Sequence, residues 1–265
     1  MSFKTKIRFC ILLALIFAAF VSVNSQSPAN VERDLLAQLN LTSKDGTYGG
    51  SYDEDKVNAA NNKITETLLN NCKTLACLRY AFPMLKGEMF VTTSKDGKLR
   101  IYSWDMQTGG TMHDYSSVYQ YQGKSGKIYT SSAQGDDESA GSFYSQIFQV
   151  NAVSGPVYLV NSNFVASSSL NGQSIEAVRI NGEKLDMKPR LIKTVSGLTN
   201  SISFGYDFFS VVDRPERPVR LFVFNEAKNE FKFPVVVEDE KTPQGRVTDK
   251  FITYRFDGTN FVKVN

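Results

Sequence analysis

The stretch FVTTSKDGKLRIYSWD, residues 90–105, carries the clearest fold signal in the chain. Its two ends are rich in β-branched and aromatic residues, and they flank the turn Lys95-Asp96-Gly97. A glycine that tolerates positive φ between two β-prone runs is typical of a β-hairpin. The same arrangement recurs around Gly182 and around Gly258, so the sequence predicts at least three hairpins.

From Pro83 onward the apolar residues recur with period two, which is the period of a strand. About eleven to thirteen short strands separated by turn signals predict a mainly β protein of the α+β class. We expect residues 88–265 to form an antiparallel β-meander that closes as a barrel, a sandwich or a propeller-like sheet. Tyr206–Val212 and Leu221–Phe224 are apolar on both faces, so they are predicted to be central strands that are covered on both sides.

Helical periodicity lies N-terminal to these strands. Asn30–Asn40 has leucines at helical spacing and predicts a short helix with Asn30 as the N-cap. Asp53–Tyr80 predicts the longest helix, of about 20 residues, before Asn70-Asn71 and the cysteine pair disturb it. Its apolar stripe is narrow, so one face should pack on the sheet. Residues 26–87 are therefore predicted as a helical N-terminal element of one domain.

Residues 1–25 have the pattern of a signal peptide. Lys4, Lys6 and Arg8 precede the 14-residue run Cys10–Val23, which is apolar apart from Ser22. A membrane-spanning helix needs roughly 20 residues, so we predict cleavage after Ser25 and no stable membrane span thereafter. An uncleaved membrane anchor is the alternative. Export would place the protein in the periplasm or outside the cell.

Removal of this leader changes the charge of the protein. It takes Lys+Arg from 30 to 27, equal to the 27 Asp+Glu, because the leader carries three basic and no acidic residues. A neutral chain lacks the net basicity that drives counterion release from nucleic acid, so no nucleic-acid partner is predicted.

Cys72 and Cys77 are the only cysteines after the leader, and an oxidising compartment favours a disulfide between them. Residues five apart on a helix point about 140° away from each other, so the helix must end or break between the two cysteines. Two reduced, buried cysteines are the alternative. His113 is the sole histidine, so no metal site and no cofactor are predicted.

Two segments carry the candidate binding residues. The first contains Trp104, Asp105, Gly109, Gly110 and His113. Its paired glycines let a ligand approach the backbone closely or form a loose turn, and its tryptophan either contacts the ligand or anchors the core. No G-x-S-x-G motif accompanies the histidine, so no catalytic residue is assigned.

The second segment is the charged loop DRPERP, residues 213–218, which contains Arg214 and Arg217. Its two prolines stiffen it, so it is either a recognition loop or a connector between strands. Asp207 lies in the preceding aromatic run and is expected to form an ion pair with Arg214, Arg217 or Arg220.

Three stretches carry a resemblance to known proteins: LRIYSWDMQTGGTMH (Leu99–His113), FFSVVDRPERPVRLFVF (Phe208–Phe224) and KFITYRFDGTNF (Lys250–Phe261). They resemble a group of exported bacterial proteins of the Bacteroidetes type whose function is not established. The resemblance covers the chain from about Phe90 onward. It implies a location in the bacterial envelope and no particular activity.

These features favour an exported, non-enzymatic protein that binds a protein or glycan partner in the envelope or outside the cell. The alternative is a secreted, glycan-directed hydrolase that uses two carboxylates. That alternative requires acids such as Asp105, Asp114 and Asp207 to meet in a cleft, about 5 to 10 Å apart.

Overall fold

The computed structural model describes residues 26–49, 51–132 and 141–264, and the predicted signal peptide lies outside these ranges. The helices are α1 (Pro28–Asp45), α2 (Glu54–Asn71) and α3 (Leu75–Arg79), with 3-10 turns at Pro83–Leu85 and Phe208–Val211. The strands are β1 (Phe90–Thr93), β2 (Leu99–Asp105), β3 (Tyr115–Gln122), β4 (Ile128–Ser132), β5 (Phe143–Ala152), β6 (Gly155–Val165), β7 (Leu170–Asn181), β8 (Lys184–Asp186), β9 (Ile192–Thr194), β10 (Gly197–Thr199), β11 (Ser201–Asp207), β12 (Val223–Asn225), β13 (Glu230–Asp239), β14 (Thr242–Phe256) and β15 (Phe261–Val264).

The strands form three sheets, and the prediction of a mainly β protein with antiparallel sheets is confirmed. The first sheet is the meander β1-β2-β3-β4, and the second has the order β11-β7-β6-β5 with β8 paired to β7. The third has the order β10-β9-β15-β14-β13-β12, and its β15–β9 pair is parallel. Within the described ranges, none of these sheets closes as a barrel.

The second sheet contributes side chains to two different cores. Along β6, Val157 and Leu159 belong to a cluster with third-sheet residues such as Phe231. The alternating residues Tyr158 and Val160 belong to a cluster with Leu99, Ile101, Tyr119 and Tyr121 of the first sheet. Successive side chains of a strand point to opposite faces, so the second sheet is buried on both of them.

The other face of the first sheet shares a core with the helices. Tyr102, Trp104 and Val118 cluster with residues of α1 and α2 such as Leu35 and Leu68. The indole Nε1 of Trp104, which is 1% exposed, donates a hydrogen bond to Asn61 Oδ1 at 2.9 Å. Trp104 is therefore an anchor of this core. No helix in the described part of the chain is long and apolar enough to cross a membrane.

The disulfide predicted between Cys72 and Cys77 is confirmed, with the two Cα atoms 5.3 Å apart. As expected, the helix is interrupted between them: α2 ends at Asn71, and α3 starts at Leu75. Thr74 accepts a hydrogen bond from Cys77 N at 3.2 Å, which caps the new helix.

Some predicted boundaries are wrong. Helix α1 starts at Pro28 with Ser27 as its N-cap, because the Ser27 hydroxyl accepts from Asn30 N, and it continues to Asp45. The segment predicted as the strand Tyr206–Val212 leaves the sheet after Asp207, and Phe209 is 63% exposed.

Asp207 itself explains why that strand ends. Its Oδ1 accepts a hydrogen bond from Phe209 N at 2.8 Å, and such a local bond competes with the strand ladder. The ion pair predicted for Asp207 is not among those formed by the described residues. The predicted central strand Leu221–Phe224 is also wrong, since β12 starts only at Val223.

Candidate functional site

A cavity of about 330 Å³ lies between the C-terminal part of α1, the segment before β1, and the ends of β2 and β3. Its wall combines apolar or aromatic residues with polar ones. The first group is Leu39, Met89, Phe90, Trp104 and Tyr115, and the second is Thr42, Ser43, Glu88, Asp105, Gln107 and His113. Such a mixture of aromatic surface and a few polar groups is typical of small-ligand sites.

Asp105 and His113 form a close pair at this cavity. Asp105 is the last residue of β2, and its Oδ2 lies 2.5 Å from Nδ1 of His113. The other carboxylate oxygen accepts a hydrogen bond from Gln107 N at 2.8 Å, which holds the carboxylate at the end of the strand. The backbone N–H of His113 donates to Val165 O at 3.1 Å and ties the imidazole's segment to β6.

Tyr48 completes this cluster from a distant part of the sequence. Its hydroxyl donates a hydrogen bond to the carbonyl oxygen of Gly110 and lies 3.3 Å from Nε2 of His113. The phenol ring stacks on the imidazole with centroids 5.1 Å apart, and Tyr115 stacks at 6.1 Å. Residues of three segments therefore meet around His113: Tyr48 of the loop after α1, Tyr115 of β3, and Gly110 of the 106–114 connection.

The two glycines have different roles in this connection. A Cβ on Gly109 would lie 2.0 Å from the Met112 carbonyl oxygen, so the tight turn there requires glycine. A Cβ on Gly110 would meet nothing within 4 Å, and this residue contributes through its carbonyl instead. Asp114 accepts a hydrogen bond from Thr108 Oγ1 at 2.8 Å and closes the connection on itself.

The electrostatic field at the cavity is negative. The pKa of Tyr48 is raised above its usual range by partial burial and then by the charges of Asp105 and Asp114. Burial, followed by the charge of Asp105, also raises the pKa of Tyr115. The part of the chain that the structure describes adds no Lys or Arg to the wall, whereas Glu88 adds another carboxylate. An anionic ligand is therefore disfavoured here.

The predicted site residues divide into two groups. Trp104, Asp105 and His113 line the cavity, and Gly109 and Gly110 belong to the same connection. Arg214 and Arg217 do not line it. Arg217 donates to the carbonyl oxygens of its own loop, at Val212, Arg214 and Glu216, and its guanidinium lies 5.5 Å from the ring centroid of Phe208. These contacts all lie within residues 208–217.

Tyr48 and Glu88 are site residues that sequence reasoning missed. Tyr48 lies in a polar, glycine-rich connection in which an aromatic residue is unusual, and that contrast was the one available signal. Among the described residues, no group of three or more His, Cys, Asp or Glu side chains is placed to hold a metal ion.

The fold and site define a mainly β protein of three sheets with an aromatic, acidic cavity at the end of the first sheet. Comparison of the chain with models of protein families, with curated proteins and with solved structures finds no match.

Proposed function

We propose that this protein is an exported, non-enzymatic binding protein of the bacterial envelope, and that the cavity beside His113 is its ligand site. The observation that carries the proposal is the wall itself, in which aromatic rings lie beside Glu88, Asp105, Gln107 and His113, with no Lys or Arg among the described lining. Such a wall fits a neutral or cationic group of a glycan or protein partner.

Two features of the sequence support the location. The basic start and the apolar run of residues 1–25 predict export, and the resemblance to exported bacterial proteins agrees with it. The disulfide between the buried Cys72 and Cys77 is compatible with an oxidising compartment.

A titration followed by NMR tests the proposal. Fragments of bacterial envelope glycans and peptides are added to the ¹⁵N-labelled protein, and we expect saturable shifts at Trp104, Asp105 and His113. Glu88→Gln is expected to weaken binding because it removes a carboxylate from the wall. Arg217→Ala is the matched control outside the cavity, and a partner whose capture depends on Arg217 alone would contradict the proposal.

A secreted hydrolase is the second candidate, because two carboxylates, Glu88 and Asp105, line one cavity. Such pairs cleave glycosidic bonds when one acts as an acid and the other as a base or nucleophile. This candidate predicts release of reducing sugar from envelope glycans and its loss in Glu88→Gln. If glycans bind but the wild type releases no sugar from them, only the binding function remains.

A further inference from the structure

The hydroxyl group of Tyr48 occupies a bridging position between two polar groups of the 106–114 connection. It donates to the carbonyl oxygen of Gly110, and its oxygen lies 3.3 Å from Nε2 of His113. Tyr48 is nonetheless 52% exposed, so the hydroxyl's contacts lie at the surface beside the cavity.

The groups around the Tyr48 hydroxyl are a carbonyl oxygen and a ring nitrogen. A carbonyl oxygen only accepts, so Tyr48 donates its proton to Gly110. The carboxylate of Asp105 also only accepts, so Nδ1 of His113 donates to it. Nε2 of His113 lies 3.3 Å from the Tyr48 oxygen, and the tautomer of the ring decides which of these two atoms donates.

Nε2 of His113 and the carbonyl oxygen of Gly110 both contact the point that the Tyr48 hydroxyl occupies, and a hydroxyl group can satisfy both because it donates and accepts. We propose that these two groups form a subsite for a saccharide hydroxyl, and that the Tyr48 hydroxyl competes with the saccharide for it. The inference rests on the proposed function, since it names the ligand class of the same cavity.

The surroundings of the subsite suit a neutral sugar. Tyr115, whose ring stacks on His113, and Trp104 give the cavity an aromatic lining, and the carboxylates of Asp105, Asp114 and Glu88 disfavour anionic ligands.

Only a side-chain rotation is needed to free the subsite. Thr47 is held independently, because its N–H and its hydroxyl both donate to the carbonyl oxygen of Gln107, at 2.9 and 3.1 Å. The Tyr48 side chain can therefore swing into solvent while the backbone beside it stays docked. The subsite is free only in the fraction of molecules in which Tyr48 has rotated away, and the apparent affinity of the ligand is reduced by that fraction.

The test uses Tyr48→Phe, which keeps the ring and removes the competing hydroxyl. Tyr52→Phe is the matched control, since Tyr52 is another exposed tyrosine, at 54%, four residues along. The probes are the methyl glycosides of glucose, galactose and N-acetylglucosamine, with tetrahydropyran as a ring that has no hydroxyl. Shifts of the Trp104 and Gly110 amide resonances report binding at the cavity.

We expect at least one glycoside to bind the wild type and to bind Tyr48→Phe about three- to tenfold more tightly. Tyr52→Phe should match the wild type, and tetrahydropyran should not bind.

Two results would overturn the inference in different ways. A glycoside that shifts the cavity resonances and binds Tyr48→Phe no better than the wild type refutes the competition by Tyr48 and leaves the proposed binding function intact. Failure of all three glycosides to shift these resonances in either protein refutes the saccharide subsite. The envelope peptides of the first titration then decide whether the cavity binds at all.

Discussion

Asp105→Asn is the substitution that most directly probes the pair at the centre of the site. The wild-type carboxylate accepts at both oxygens, from Gln107 N at 2.8 Å and from His113 Nδ1 at 2.5 Å. A carboxamide has one accepting oxygen and one donating nitrogen. One of the two contacts therefore becomes donor against donor, because Nδ1 of His113 donates to the wild-type carboxylate.

The expected cost follows from the kind of bond that is lost. A hydrogen bond to a charged group contributes about 1.5–3 kcal/mol, and both partners are mostly buried, with side chains 21% and 31% exposed. We expect Asp105→Asn to lower the free energy of unfolding by about 2 kcal/mol.

Urea unfolding measures this loss. Trp104, the sole tryptophan, reports the transition from the core beside the site. Asp114→Asn is the matched control, because Asp114 accepts from a Thr108 hydroxyl that can reverse its direction, so its cost should be small. A loss for Asp105→Asn no larger than that for Asp114→Asn would refute the contribution of the Asp105–His113 pair.

Three further predictions concern the rest of the fold. Replacing Cys72 and Cys77 together by Ser should lower the free energy of unfolding by about 2 kcal/mol. This is the lower end of the usual range, because the disulfide closes a short loop. An unchanged urea midpoint would contradict this prediction. Burial raises the pKa of Glu176, so the folded protein binds its proton more tightly than the unfolded chain does, and stability falls as pH rises above about 4.5. Glu176→Gln should therefore stabilise the protein by about 1 kcal/mol at pH 7 and by almost nothing at pH 4 in calorimetry, and a destabilised variant at pH 7 would refute the sign. Arg217→Ala should lower Tm by about 2–4 °C, since Arg217 binds its own loop and covers Phe208, whereas a pure recognition residue would leave Tm unchanged.

The candidate site was predictable in part. Asp105 and His113 lie eight residues apart in one glycine-containing connection, so the sequence alone marked them as neighbours. Tyr48 and Glu88 come from other segments, and no periodicity or turn signal relates them to His113. The sequence singles out Arg214 and Arg217 by their charge. Whether their loop recognises a partner or only connects two strands depends on which carbonyl oxygens the guanidinium groups reach.

Sequence alone determined the features that depend on neighbouring residues. The hairpin at Asp96-Gly97 and the helix break between Cys72 and Cys77 follow from turn chemistry and from the helical repeat, which act over a few residues.

The tertiary structure decided the features that depend on contacts between distant segments. The second sheet is buried on both faces because the first and third sheets pack on it. The alternation of residues within one strand does not show which sheets will cover it. Asp207 ends its strand through a local bond that the aromatic pattern concealed. Tyr48 contacts the Gly110 carbonyl oxygen and His113 Nε2 only because tertiary packing brings together segments that are some 60 residues apart in the chain.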